Sequence, residues 1–218
     1  MDEQFPRDEV ETKGYKVATY GQKTYNGVAF ISKGEVQDIE RGLSDLDPQA
    51  RVIAATFQGV RVVNVYAPNG QSIDSEAYQY KLKWYETLRE WLLGQAKYGP
   101  LVVCGDFNVA PHDIDVWDPS AWVGQVLVSD RERAALGEVL ARHQLVDLFR
   151  EKHGPSEVRY SWWDYRALGF PKNHGLRIDH ILTGQTMVDR CVEVDVDRDM
   201  RKGKLPSDHA PVWAQFRD

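Results

Sequence analysis

Four short apolar runs in this chain share one design: each ends in side chains able to grip a cation or a phosphate. They are NVYAPNG (64–70), VVCGDFNVAP (102–111), GLRIDHIL (175–182) and PSDHAPVW (206–213). In the second, Leu101 to Cys104 read as a strand buried on both faces. Gly105 then interrupts it, and Asp106 and Asn108 follow with one residue between them. Short continuous apolar runs bounded by turn residues are the pattern of core strands. A sheet built from them must be covered by further layers.

The remaining periodicity supplies those layers. Strand patterns fall at YKVATY (15–20), GVAFIS (27–32), RVIAATF (51–57) and RVVNVYA (61–67), the last two joined by a tight Gln58-Gly59 hairpin. A long amphipathic helix is predicted from Ser75 to Leu93, with Tyr80, Trp84, Leu88 and Trp91 at helical spacing and Gly94 as its C-terminal stop. A second helix opens at Ser129, with Glu132 completing a capping-box pattern, and runs to His143. Further strands are expected at VRYSWW (158–163), LRIDHIL (176–182), VEVDV (192–196) and APVWAQF (210–216). Strand pairs separated by helices suggest two sheets packed together with helices outside. No repeat, low-complexity tract or linker divides the 218 residues, so one domain is expected.

Composition sets the class. Hydrophobic residues make up 42% and charged residues 28%, as in ordinary soluble proteins. The opening MDEQFPRDEV has no apolar signal region, and no stretch approaches the roughly 20 apolar residues of a membrane span. Cys104 and Cys191 make no disulfide framework and are expected to be reduced and buried, which suggests the cytoplasm. The net charge of −6 argues weakly against a polyanionic partner. Carboxylates gathered around a divalent metal, however, would overstate the repulsion that a phosphate feels.

Asp106, Asn108, Asp179 and Asp208 offer oxygen ligands, and Tyr66 and His209 can handle protons. Oxygen donors of this kind suit Mg²⁺ or Mn²⁺, and no Cys/His spacing typical of zinc is present. Each segment also has a plainer reading. GDFN could be an Asx-type turn leaving a strand, and SDHAP a turn entering one. Asp179, inside an apolar strand, must find a partner or change its protonation, and His209 is the evident candidate. Four such strand ends together make coincidence a poor account.

With GDFN, RID and SDHAP in this order, the sequence resembles the exonuclease III type of apurinic/apyrimidinic (AP) endonuclease, within the endonuclease/exonuclease/phosphatase superfamily. GQKTYNGVAF, NVYAPNG, GDFNVAP, SWWDYRALGFPKNHGLRIDHIL and SDHAPVW carry the resemblance from Phe5 to Arg217. It implies a single-domain α/β fold over residues 1–218, a four-layered α/β/β/α sandwich of two packed mixed sheets with the active site at one end. The implied activity is a metal-dependent DNA phosphodiesterase of base-excision repair, incising 5′ to AP sites, degrading duplex DNA from 3′ ends, or both. The resemblance gives Asp106, Asn108, Tyr66, Asp179 and His209 catalytic roles: Asp106 orients the water, and His209, oriented by Asp179, stabilises phosphoryl charge. Metal binding would fall to Asp106, Asn108 and Asp208, with Mg²⁺ or Mn²⁺ as cofactor. Asn69 would contact the scissile phosphate, and Arg51, Lys172 and Arg177, with Lys202 and Lys204, the DNA backbone. Trp162, Leu176 and Ile178 would border the pocket for a flipped-out, baseless sugar.

The family pattern begins with a strand carrying an Asn, then a helix, then a strand ending in a Gln-Glu-Thr-type motif whose Glu is a metal ligand. This sequence enters the pattern after that point, so one sheet is expected to be incomplete at the N-terminus. Activity is then in question, and a monomer able to self-associate through the incomplete sheet is expected. Rival readings are a catalytically impaired DNA-binding module, a non-functional fragment, and a superfamily phosphoesterase for inositol phosphates or lipid head groups. Double-stranded DNA with abasic sites or 3′ ends is the expected partner, with no membrane.

Overall fold

The computed structural model describes residues 2–44 and 47–217. A short helix α1 (Arg7–Thr12) leads into the hairpin of β1 (Lys16–Gly21) and β2 (Gly27–Ser32). Strands β3 (Gln37–Arg41), β4 (Val52–Phe57) and β5 (Val60–Tyr66) follow, then helix α2 (Glu76–Leu92) and strand β6 (Leu101–Asp106). Helix α3 (Asp130–His143) precedes β7 (Val146–Asp147), α4 (Leu148–His153) and α5 (Gly169–Lys172). The chain closes with β8 (Asp179–Thr183), α6 (Gln185–Arg190), β9 (Cys191–Val196) and β10 (Val212–Phe216).

Six strands form one mixed sheet in the order β3-β4-β5-β6-β8-β7, in which only β5 and β6 run parallel. Alternation along its strands sends Val63, Val65 and Val103 to one face, where Trp84, Leu88 and Leu92 of α2 and Leu136 and Val139 of α3 pack on them. Each such fully buried side chain contributes about 1.5–3 kcal/mol. Ser75 caps α2 by accepting from the Tyr78 N–H, and Ser129 and Glu132 close a capping box on α3, as their spacing predicts.

On the opposite face lie two separate antiparallel hairpins. The β1–β2 pair covers one end of the sheet through Ala18 and Val28 against Ile53. The β9–β10 pair covers the other end, with Val194, Ala214 and Phe216 packed near Ile181 and α4. Among the described residues β2 pairs only with β1, and β10 only with β9. Between the hairpins is a cavity of about 990 Å³, floored by Val60, Val62 and Cys104 of the main sheet and flanked by Phe30 and Val212. Among the described residues the second strand layer is thus made of two separate pairs.

Three elements differ from the sequence reading. VRYSWW forms no strand: only Trp162 makes isolated bridges, to Leu176 and His209. The reason is Ser161, whose hydroxyl accepts the backbone N–H groups of Ile178 and Asp179, replacing the ladder bonds a strand would make. The strand within LRIDHIL starts only at Asp179. The polar run QDIER forms β3, an edge strand without the apolar pattern of the core strands.

Candidate active site

The register of three strands sets out the site. Tyr66 at the end of β5 pairs in parallel with Asp106 at the end of β6, and Asp106 lies opposite Asp179 at the start of β8. All three fall on the hairpin side of the sheet, on strands about 4.8 Å apart. His209 comes from the segment before β10 and bridges to Trp162, and its Nδ1 lies 2.9 Å from Asp179 Oδ2. The result is a row: Tyr66, Asp106, Asp179, His209. With Asp208 and Asn64, these residues line a cavity of about 510 Å³. Asp179 and His209 also form a wall of the larger cavity between the hairpins.

Gly105 makes the row possible. Its φ is +131°, and a Cβ there would stand 2.0 Å from the Val65 carbonyl oxygen. No other residue fits so close an approach between β5 and β6. Beyond it, Asn108 adopts a left-handed φ of 51° and folds back: its backbone N–H donates to Asp106 Oδ1, and Nδ2 donates to Asp106 Oδ2 and to the Ala67 carbonyl. Asn108 Oδ1 accepts from Asn69 Nδ2 at 3.2 Å.

The electrostatics follow from crowding. Burial and the neighbouring charge of Asp179 push the Asp106 carboxyl up to about 7, against the pull of His209 and the Asn108 N–H. Burial alone would lower His209. Its hydrogen bond to Asp179 and the charges of Asp179, Asp106 and Asp208 instead raise it to about 9, so it is an imidazolium at neutral pH. Burial and the charge of Asp106 raise the Tyr66 phenol, which keeps its proton. The site therefore sets a proton-donating imidazolium and phenol beside carboxylates, the pairing that phosphoryl chemistry uses.

Several expected residues sit elsewhere or otherwise. Asn108 is not among the residues lining the cavity, and its carboxamide bonds to Asp106, Ala67 and Asn69, so it braces Asp106. Arg177, expected at the DNA backbone, is only 1% exposed. Its guanidinium pairs with Asp115 at 2.8 Å and Asp147 at 2.6 Å and meets His180 at 3.0 Å, so it is spent on an interior network. Leu176 and Ile178, expected to border a sugar pocket, are 0% and 1% exposed and pack beneath Trp162 with Ala110, Val116 and Leu127. The open aromatic surface is that of Trp162 itself, with Trp122 set edge-on to it at 6.4 Å. Trp162 Nε1 donates to Asp208 Oδ2, which ties this rim to the carboxylates.

Others lie where a substrate could meet them. Asn69 is exposed, and Arg51 lies beside the Tyr66 ring and donates to the Tyr66 carbonyl at 3.1 Å. Lys172 is exposed at the end of α5. Sequence reasoning missed Lys81 and the second role of Glu132. Lys81 lies on the buried stripe of α2 with Tyr78, Tyr85, Leu88 and Leu92, and that position on an apolar face was the available signal.

Comparison with known proteins agrees with this architecture. The model of the endonuclease/exonuclease/phosphatase family matches residues 2–209, and the chain belongs to that family. It is 37% identical to exodeoxyribonuclease III of Haemophilus influenzae, over 99% of this chain and 86% of that protein. The structure superposes on the 3′ phosphatase NExo from Neisseria, bound to a product DNA hairpin, with a TM-score of 0.95 and 42% identity, covering 99% of this chain and 84% of that one. An AP endonuclease from Archaeoglobus fulgidus gives a TM-score of 0.93 at 38% identity, with the same coverage. The layered α/β sandwich is thus the fold these proteins share.

The family depends on a divalent metal. Among the described residues no three His, Cys, Asp or Glu side chains form a ready-made cage. Magnesium-type ions need none, since they are commonly held by one or two carboxylates together with water and substrate phosphate. Asp106 and Asp208 line one cavity with Asp179. The donor set fits a hard cation, with Asp106 and Asp208 as the residues that would hold it.

Proposed function

We propose that this chain is a divalent-metal-dependent DNA-repair nuclease acting on phosphodiesters at abasic sites and 3′ ends of duplex DNA. The observation that carries the reading is the row Tyr66–Asp106–Asp179–His209 along the ends of three adjacent strands and the loop before β10. Asp106, braced by Asn108, acts in its ionised form, which gains as pH rises through about 7, and orients and deprotonates the attacking water. His209 carries its proton on the pocket side through Nε2, because Asp179 engages Nδ1, and neutralises charge growing on the phosphoryl oxygens. The Tyr66 phenol and Asn69 hold the phosphate. Asp106 and Asp208 are the residues that would hold a divalent cation, which would supply charge neutralisation at the phosphate oxygens; Mg²⁺ or Mn²⁺ is the reading that oxygen donors favour.

Trp162 and Trp122 give the pocket rim an apolar, aromatic face. A nucleotide without its base loses less stacking on extrusion, so such a face favours damaged sites. A single cytoplasmic domain, monomeric when dilute and able to self-associate, is part of this reading. Burial raises both thiols, Cys104 to about 11, which suits reduced, unreactive cysteines. Among the described residues no helix is long and apolar enough to cross a membrane.

A second reading is a module that binds abasic DNA but turns it over poorly. One assay separates the two. Duplexes carrying an abasic site or a recessed 3′ end are incubated with the protein and millimolar Mg²⁺ or Mn²⁺, with phosphoinositides as a control. Cleavage of DNA alone supports the nuclease. Retarded but intact DNA supports the binding module, and cleavage of phosphoinositides alone overturns both.

A further inference from the structure

Lys81 is wholly buried, which costs an ammonium several kcal/mol unless its charge and donors are matched. Its three N–H donors have three partners. One is the carboxylate of Glu132, equally buried. The other two are backbone carbonyls, of Asn69 at 3.1 Å and of Asn108 at 2.7 Å. Charge balance required only Glu132. The two carbonyls belong to the loops that leave β5 and β6, which carry the residues at the mouth of the site.

From there the hydrogen bonds run without a break to the reacting carboxylate. Asn69 Nδ2 donates to Asn108 Oδ1, and Asn108 donates through N and Nδ2 to the two oxygens of Asp106. On the far side Glu132 also accepts from the backbone N–H groups of Leu127 at 3.0 Å and Ser129 at 3.1 Å. The Ser129 hydroxyl meets Tyr78 of α2 at 2.6 Å, so the clamp is anchored on both long helices.

We propose that Lys81, balanced by Glu132, is a positioning residue for phosphodiester hydrolysis: its ammonium pins the Asn69 and Asn108 loops so that Asp106 is held in one orientation. The inference rests on the nuclease reading of the site. A methionine at this position fills the same space but leaves both carbonyls without a donor, and the loops then relax by rotation about the left-handed Asn108. Misplacement of a catalytic group by about 1 Å typically lowers turnover about a hundredfold.

The test uses Lys81→Met, Glu132→Gln and the double variant, assayed on an abasic-site duplex with Mg²⁺ and by thermal denaturation. Lys81→Met leaves Glu132 as a lone buried charge and is expected to lose both stability and turnover. The double variant removes both charges and is expected to regain most of the Tm, because no uncompensated ion remains. Its kcat is expected to stay ten- to a hundredfold low with KM little changed. Recovery of kcat along with Tm would overturn the proposal and leave Lys81 a packing residue. Side-chain amide exchange by ¹⁵N NMR gives a readout independent of cleavage. The Asn108 Nδ2 protons are expected to be protected in the wild type and to exchange freely in the double variant; equal protection overturns the clamp. Wild-type protein that cleaves no DNA would sink the nuclease reading, and the exchange data would still judge the clamp.

Discussion

Asp179 sits between two groups whose protonation it raises, Asp106 across the β6–β8 pair and His209 at the end of its own carboxylate. Replacing Asp179 with Asn removes the charge that keeps the imidazolium. The His209 pKa is expected to fall from about 9 to near or below the ordinary 6.5, since burial then acts with less opposition. An NMR titration of the metal-free protein reads this directly, and a value still near 9 would assign the shift to other groups. The sign of the linked stability follows. A histidine raised on folding stabilises fully below about 6.5, and that contribution is lost as pH climbs through about 9. The deficit of Asp179→Asn in Tm should thus be widest in mild acid and narrow toward pH 9. At this scale the charges were the least legible part of the sequence. Tyr66, Asp106, Asp179 and His209 stand out because polar groups at the ends of apolar runs have no packing reason to be there. Arg177 looks like a surface cation, because its partner Asp115 lies 62 residues away and sequence does not display that pairing. Lys81 was hidden for the same reason.

Elements were easier to read where one face or both are apolar. The strands β1, β2, β4, β5 and β6 and the helices α2 and α3 lie within a few residues of their expected spans, because burial fixes the period. Edge strand β3 has little to bury and gives no such signal. The crossing segment 158–163 reads as a strand from its β-branched and aromatic residues, yet Ser161 diverts its pairing to a side chain. Ser161→Ala should therefore cost about 1–3 kcal/mol, two buried N–H groups losing their acceptor, and move the start of β8 on which Asp179 stands. Chemical denaturation measures the loss, and a change below about 0.5 kcal/mol would mean that the N–H groups find other partners. Gly105→Ala is the harsher change. Its Cβ would collide with the Val65 carbonyl, so the β5–β6 pair must part. Little folded protein is expected, and a variant with wild-type Tm would contradict the close approach.

For the molecule as a whole, the division of the second strand layer is the main feature. The two hairpins leave apolar floor residues and strand edges around a cavity of about 990 Å³, next to the site they help to wall. Exposed edges and apolar surface favour association with other chains. Sedimentation should show a mass that rises with concentration, and Val212→Lys, a charge at the edge of β10, should suppress the rise. A constant monomer mass would mean that the cavity closes in solution. The layered fold was legible because alternating strand and helix patterns allow few packings. The split was not legible from periodicity, which shows the strands present and says nothing of how they are spaced across a layer.

If the row along the strand ends performs hydrolysis, turnover must depend on its members. The direct measurement is the cleavage rate of an abasic-site duplex in Mg²⁺ by wild-type protein, Asp106→Asn and His209→Ala, with folding of each verified by its Tm. Removing one such group typically costs about a hundredfold to a thousandfold in kcat. The expected result is cleavage by the wild type and losses of that size in both folded variants. Wild-type rates in Asp106→Asn and His209→Ala would contradict it.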